Sequence, residues 1–284
     1  MRLGCLLPLS PESVATARRL GYDAIEANIG WLDRPVLDAL EAELPALRDA
    51  LEEHDMAVSA VAIYGSAIEA PTEEAIGYYR RAIQLARALD CSVIAGMTGR
   101  DNALTIEENL PLFEERFDPI ARMATDDGVR IAFEPWPGRV TGYGPFHWTN
   151  LAISPSLYDR MFESVPHPAL GIEYDASHYA WQGIDHLALL RDYAERIYHV
   201  HAKDILIDYD ELKRAGVHGP DWWRFVIPGL GQLDWVELFQ VLAEVGYQGD
   251  MAVEHEDRVY MGSRFNEGLR LGLKTLRPLV AEFD

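Results

Sequence analysis

The sequence predicts an α/β protein built as a single (β/α)8 TIM barrel, with residues 1–284 forming one domain. Three observations point there. Apolar strand-like runs alternate with amphipathic helical stretches eight times, with no low-complexity linker between units. The length, 284 residues, is near the roughly 250 typical of such a barrel. Four consecutive strand-like runs also end abruptly in Glu, Asp, His and Glu, at the end of the strand where a parallel barrel places its chemistry. An open doubly wound sheet is the alternative, but no glycine-rich dinucleotide turn follows the first strand.

The elements follow in order. Strand one is Leu3 to Leu7, and Ser10-Pro11 starts a helix by capping free N–H groups and fixing the first turn. Gly21 ends that helix, and Asp23 to Ala27 forms strand two. A charged amphipathic helix spans about Val36 to His54, and strand three is Ala57 to Ile63. A helix from Thr72 to Leu89 precedes strand four, Ser92 to Ala95. Thr105 and Glu108 form a capping box for a helix to about Asp126, and strand five is Val129 to Phe133. A long loop at about 135–150 carries Trp136, Tyr143, Phe146, His147 and Trp148. Ser154-Pro155 starts the next helix, strand six is Leu170 to Tyr174, and a helix spans about Ile184 to Glu195. Strand seven begins at Ile197. A second long loop, 204–232, carries Trp222, Trp223, Arg224 and the turn Pro228-Gly229-Leu230-Gly231. Asp234 and Glu237 repeat the capping pattern, strand eight is Asp250 to Val253, and a last helix runs from about Arg264 to Leu279. Loops of such length on a barrel serve as lids or binding walls.

The formal charge is 25 − 46 = −21. A surface this acidic repels phosphate backbones and anionic lipid, so nucleic acid and membrane partners are not expected. Cys5 and Cys91 read as buried reduced thiols rather than a disulfide. The N-terminal apolar run is short for a signal peptide, and a cytoplasmic location is the expectation.

The four strand ends are Glu134, Asp175, His201 and Glu254. In a barrel their strands are neighbours, so the four can converge on one divalent ion. Mostly oxygen ligands with one imidazole suit Mn²⁺, Mg²⁺ or Co²⁺, with Zn²⁺ less favoured without a thiolate. The alternative is that each acid caps a helix or faces solvent. No second cluster of acids stands out to hold a further ion. His178, three residues after Asp175, either touches substrate or starts a helix. His199 shares a strand face with His201 but lies deeper, as a core histidine. Lys203 neutralises an enediolate or phosphate, or pairs with Asp204. Arg224 offers a planar donor fork to an anion or hydroxyl. Trp136, Trp148, Trp222 and Trp223 stack on substrate or pack the two loops together. His178, Lys203, Arg224, Trp136 and His147 are the substrate-binding candidates.

The segments FEPWP (Glu134), YDASH (Asp175, His178), HVHAKD (His201) and VEHED (Glu254) resemble the xylose-isomerase-like barrel superfamily, over essentially the whole chain. GYDAIEAN and PGLGQLDW agree more weakly. The nearest groups are tagatose/psicose 3-epimerases, hydroxypyruvate isomerases and inosose dehydratases. The resemblance implies one ion, Mn²⁺ foremost with Mg²⁺, Co²⁺ or Zn²⁺ as other candidates, held by Glu134, Asp175, His201 and Glu254. Epimerases of this kind carry a further glutamate shortly after the strand-five ligand. Here Pro135 to Val140 contains no acid.

The implied function is a metal-dependent isomerase or epimerase of a sugar or other small polyhydroxy carbonyl compound. It would transfer a proton through a metal-bound enediolate, with Glu134 and Glu254 as the catalytic acid–base pair. A lyase on the same scaffold is the alternative: an inosose- or dehydroshikimate-type dehydratase, or a C-glycoside-cleaving enzyme. A non-catalytic sugar-binding barrel and an endonuclease IV-like repair enzyme rank lower, the latter because of the charge. A carbohydrate-like small molecule is the expected partner, and a homo-oligomer is left open.

Overall fold

The structure is a computed structural model describing residues 1–32, 34–139, 147–148 and 150–283, with 139, 147 and 148 described by backbone alone. Its strands are β1 (Leu3–Pro8), β2 (Ala24–Asn28), β3 (Ala57–Ile63), β4 (Val93–Gly96), β5 (Arg130–Phe133), β6 (Gly138–Arg139), β7 (His147–Trp148), β8 (Leu170–Asp175), β9 (Ile197–Ala202), β10 (Asp204–Ile207), β11 (Trp223–Val226) and β12 (Met251–Val253). Eight of them close a parallel barrel in the order β1-β12-β9-β8-β5-β4-β3-β2. β6 pairs with β7, and β10 with β11, as two short antiparallel ribbons.

The helices are α1 (Pro11–Leu20), α2 (Arg34–Ala42), α3 (Leu44–Glu53), α4 (Thr72–Ala88), α5 (Ile106–Asp126), α6 (Pro155–Ser164), α7 (Ala176–Trp181), α8 (His186–Asp192), α9 (Tyr209–Ala215), α10 (Trp235–Glu244) and α11 (Phe265–Phe283). Ser10 caps α1 by accepting from Ser13 N at 3.1 Å. The Thr105/Glu108 box closes at both ends on α5. At α10 only half of the expected box forms, Asp234 accepting from Glu237 N at 3.0 Å.

Three expectations need correction. The helix expected over 36–54 is two helices, because Pro45 lacks an N–H and sits in the first turn of α3. The helix expected over 184–195 shrinks to α8, which Asp185 caps by accepting from Ala188 N and which Tyr193 closes before a tighter turn at Ala194–Arg196. The loop at 204–232 folds into a hairpin with α9 between its strands. Its sequence alternates poorly, so period-two reading passes over it.

The barrel interior decides what the site can hold. Ala60, Ala62, Ala95 and Ala132, together with Val93 and Tyr198, form a cluster apart from the main core between strands and helices. Small side chains from β3, β4 and β5 leave room for large polar ones from β2, β8 and β9.

Candidate metal centre

Each strand-end residue is positioned by a local device. The Glu134 N–H donates to Gly96 O at 2.8 Å. Gly96 has φ 143°, and a Cβ there would stand 1.9 Å from Ile63 O, so only glycine permits that approach. The Glu134 carbonyl accepts from Asn150 Nδ2 at 2.6 Å, tying β5 to the segment after the long loop. Asp175 caps α7: its Oδ1 accepts from Ser177 N at 2.8 Å and Ser177 Oγ at 2.6 Å. That leaves Oδ2, which is buried and accepts no hydrogen bond.

The four residues converge. His201 Nδ1 lies 3.1 Å from Glu254 Oε2, 3.9 Å from Glu134 Oε1 and 4.0 Å from Asp175 Oδ2. It too is buried without a hydrogen bond. His178 joins them, its Nε2 3.3 Å from Glu134 Oε1 and 3.6 Å from Asp175 Oδ2. Glu134, Asp175, His178 and Glu254 each bring one ligand atom within 4.8 Å of the others. Asp175 Oδ2 and His201 Nδ1 make no hydrogen bond, though each lies within ion-pair reach of a neighbour, and both point into a ring of carboxylates, a donor set that suits a cation. The residues fit a divalent ion, and His178 competes with His201 as its imidazole ligand.

Lys203 reaches into the same ring. Its Nζ lies 2.5 Å from Glu254 Oε2, 3.0 Å from His178 Nε2, 3.1 Å from Glu256 Oε2 and 3.2 Å from Asp175 Oδ2. It does not pair with Asp204, because adjacent strand residues point to opposite faces. Burial raises the Glu134 carboxyl well above the usual range, and the nearby Glu254 adds to this. Burial would raise Glu254 too, yet Lys203 and His201 outweigh it and hold that carboxyl low. Burial and then Lys203 push His178 down to about 4, so it stays neutral.

Beneath this ring lies a second one: Glu173 and His199, two residues before Asp175 and His201 on β8 and β9, with Glu26 from β2 and the inner nitrogen of His201. His199 Nε2 and His201 Nε2 stand 3.1 and 2.9 Å from Glu26 Oε2, and Glu173 Oε1 stands 3.1 Å from His201 Nε2. Tyr64 donates its hydroxyl to Glu26 Oε1 at 2.9 Å. The expectation of no second acid cluster is therefore overturned. Glu26 and Glu173 come from β2 and β8, and only barrel closure brings them together. Period-two spacing, with Glu173 below Asp175 and His199 below His201, was the signal available in the sequence.

The remaining substrate candidates divide. Trp223 and Phe225 share a face of β11 that turns toward the ring. Phe225 meets His178 edge-on at 5.1 Å and lies 4.5 Å under Lys203 Nζ, and Trp223 stacks on Trp181 at 4.9 Å. Arg224 therefore lies on the opposite face, half-exposed, 3.7 Å from Asp257 Oδ1, and is not brought to the centre. Trp136 is half-buried just beyond Glu134, and among the described residues it makes no ring contact. The side chains of His147 and Trp148 lie outside the described residues. A cavity of about 620 Å³ opens at the other end of the barrel beside Arg2, Ser59 and Asp250, away from both rings.

A sequence profile described as "Xylose isomerase-like TIM barrel" matches residues 14–279. The chain belongs to this family. Among curated relatives of this xylose isomerase-like barrel, an inosose dehydratase of Clostridium beijerinckii is 26% identical over 168 residues, 58% of this chain and 53% of that protein. The chain thus matches about half the length of such relatives. A D-psicose 3-epimerase of Clostridium cellulolyticum superposes with TM-score 0.72 at 16% identity, covering 99% of each chain. A protein described as IOLI with a bound zinc atom superposes at 0.75 and 18%, covering 100% and 99%. At these identities the structural likenesses carry the fold alone. No helix among the described residues is long and apolar enough to cross a membrane.

Proposed function

We propose that this chain is a divalent-metal-dependent enzyme that removes a proton beside the carbonyl of a small polyhydroxy compound and then expels a β-hydroxyl as water. The carrying observation is Lys203 Nζ, buried 2.5 Å from Glu254 Oε2. A bound ion held by Glu134, Asp175, His201 and Glu254 would supply Lewis acidity to the carbonyl oxygen, with Mn²⁺ the leading candidate. Glu254, kept ionised by Lys203, is the base that takes the proton from carbon. The Lys203 ammonium donates a proton to the departing hydroxyl, so the C–H and C–O bonds break and water leaves. Glu254 then passes its proton to Lys203 across their direct contact, which restores both groups.

The dehydratase relatives and the lack of an acid in Pro135 to Val140 support this reading. The aromatic face of Trp223 and Phe225 suits the apolar side of a polyol ring. A second reading, isomerase or epimerase, is favoured by the raised Glu134 carboxyl on the other side of the site, which can return a proton to carbon. Incubation with keto-inositols and keto-sugars in deuterated water separates them. The dehydratase reading expects product lighter by water, and conversion lost in Lys203→Met. Deuterated product of unchanged composition, formed equally well by Lys203→Met, contradicts it.

A further inference from the structure

We propose that the inner ring of Glu26, Glu173, His199 and His201 is a second divalent-cation site, directly beneath the first. All four residues are 0–1% exposed, and each brings a ligand atom within 4.8 Å of the others. The two acids differ in how they are satisfied. Glu26 is fully engaged, with Tyr64 on Oε1 and the two imidazoles on Oε2. Glu173 is less so: both of its oxygens are buried and neither accepts a hydrogen bond, its one close partner being His201 Nε2, 3.1 Å from Oε1 and already engaged with Glu26. A fully buried carboxylate that shares its single imidazole partner with another acid is costly, and a bound cation would satisfy both of its oxygens. Asp175 Oδ2 in the outer ring likewise accepts no hydrogen bond and points into a ring of ligands, with Lys203 as its charge partner.

The spacing agrees. A tetrahedral ion with bonds of about 2.0–2.1 Å holds its ligand atoms roughly 3.3 Å apart. Here Glu26 Oε2 stands 2.9 Å from His201 Nε2 and 3.1 Å from His199 Nε2, and Glu173 Oε1 stands 3.1 Å from His201 Nε2. His201 presents Nδ1 to the outer ring and Nε2 to the inner one. With both ions bound it bridges them as an imidazolate, releasing its ring protons. Two imidazoles with two carboxylates select Zn²⁺, Co²⁺ or Mn²⁺ over Mg²⁺, which keeps its waters and favours all-oxygen shells.

The test uses chelator-stripped full-length protein reloaded with Co²⁺, counted by elemental analysis after gel filtration. Two ions per chain are expected for the wild type, one for Glu173→Gln and one for Asp175→Asn, whereas Mg²⁺ reloading gives one. One cobalt in the wild type, or an unchanged count in Glu173→Gln, overturns the proposal. A cobalt-edge anomalous difference map of wild-type crystals guards against a misfolded variant. It should show a peak among Glu26, Glu173, His199 and His201, and its absence there equally overturns the proposal.

Discussion

At the scale of single residues, function turns on how alternate positions of one strand divide their tasks. In the β9 segment, His199 and His201 face the barrel axis in successive layers, and Lys203 reaches the mouth above them. Asp204, turned the other way, builds the wall instead. Glu254 is the residue on which the proposed chemistry depends, touched at once by His201 Nδ1 (3.1 Å) and Lys203 Nζ (2.5 Å). Glu254→Gln keeps the shape of the side chain but removes both the base and an anionic ligand. A positioned general base typically contributes about 10²–10⁴-fold, so kcat is expected to fall by at least that order. Steady-state kinetics checks this, and loss of less than tenfold would remove Glu254 from the proton path. Glu134, Asp175, His201 and Glu254 were legible because a polar residue ending an apolar run is rare enough to stand out. Glu26 and Glu173 were not, because each sits inside its run, where a lone acid reads as a boundary error.

At the scale of elements, the hairpin of β10 and β11 is held to the barrel by Asp204. Its carboxylate accepts from Gly229 N at 2.9 Å, Gly231 N at 3.2 Å, Leu233 N at 3.1 Å and Trp235 Nε1 at 2.9 Å. A Cβ on Gly231 would stand 2.1 Å from Asp204 Oδ1, which is why the PGLG turn needs glycine there. Hydrogen bonds to a charged group contribute about 1.5–3 kcal/mol each, and buried donors left unpaired add their own desolvation cost. Asp204→Ala is therefore expected to lower unfolding stability by more than about 3 kcal/mol, read from urea denaturation at constant m-value. A loss below about 1 kcal/mol would mean the turn is held by other contacts. The sequence marked the turn and the helix after it. It could not show that one aspartate before the loop anchors the residues after it, since that contact spans the whole hairpin.

For the whole molecule, the barrel places ionisable side chains in two stacked layers lined opposite by alanines of β3, β4 and β5. Strand count, strand order and the outer ring were readable from periodicity, because barrel closure makes the last four parallel strands neighbours. Layer depth was not, because it depends on register across the barrel. Gathering carboxylates at one mouth costs repulsion that a bound cation offsets, so metal is linked to folding. At free metal about 100 times Kd, a single ion adds about 2.7 kcal/mol of stability. Chelation is accordingly expected to lower the Tm, and calorimetry that finds the same melting curve after verified metal removal would contradict a shared site.

The most direct test of the outer centre is calorimetric titration of Mn²⁺ into chelator-stripped wild type and Asp175→Asn. Asp175 Oδ2 is a fully buried carboxylate oxygen of the outer ring that accepts no hydrogen bond among the described residues and has the Lys203 ammonium 3.2 Å away as its charge partner. Removing its charge while keeping its shape and its cap on α7 should weaken the outer-site affinity by about 100-fold or more, beyond the 10–100-fold typical of outer-shell partners. Equal Mn²⁺ affinity and heat in the two proteins would contradict the metal centre.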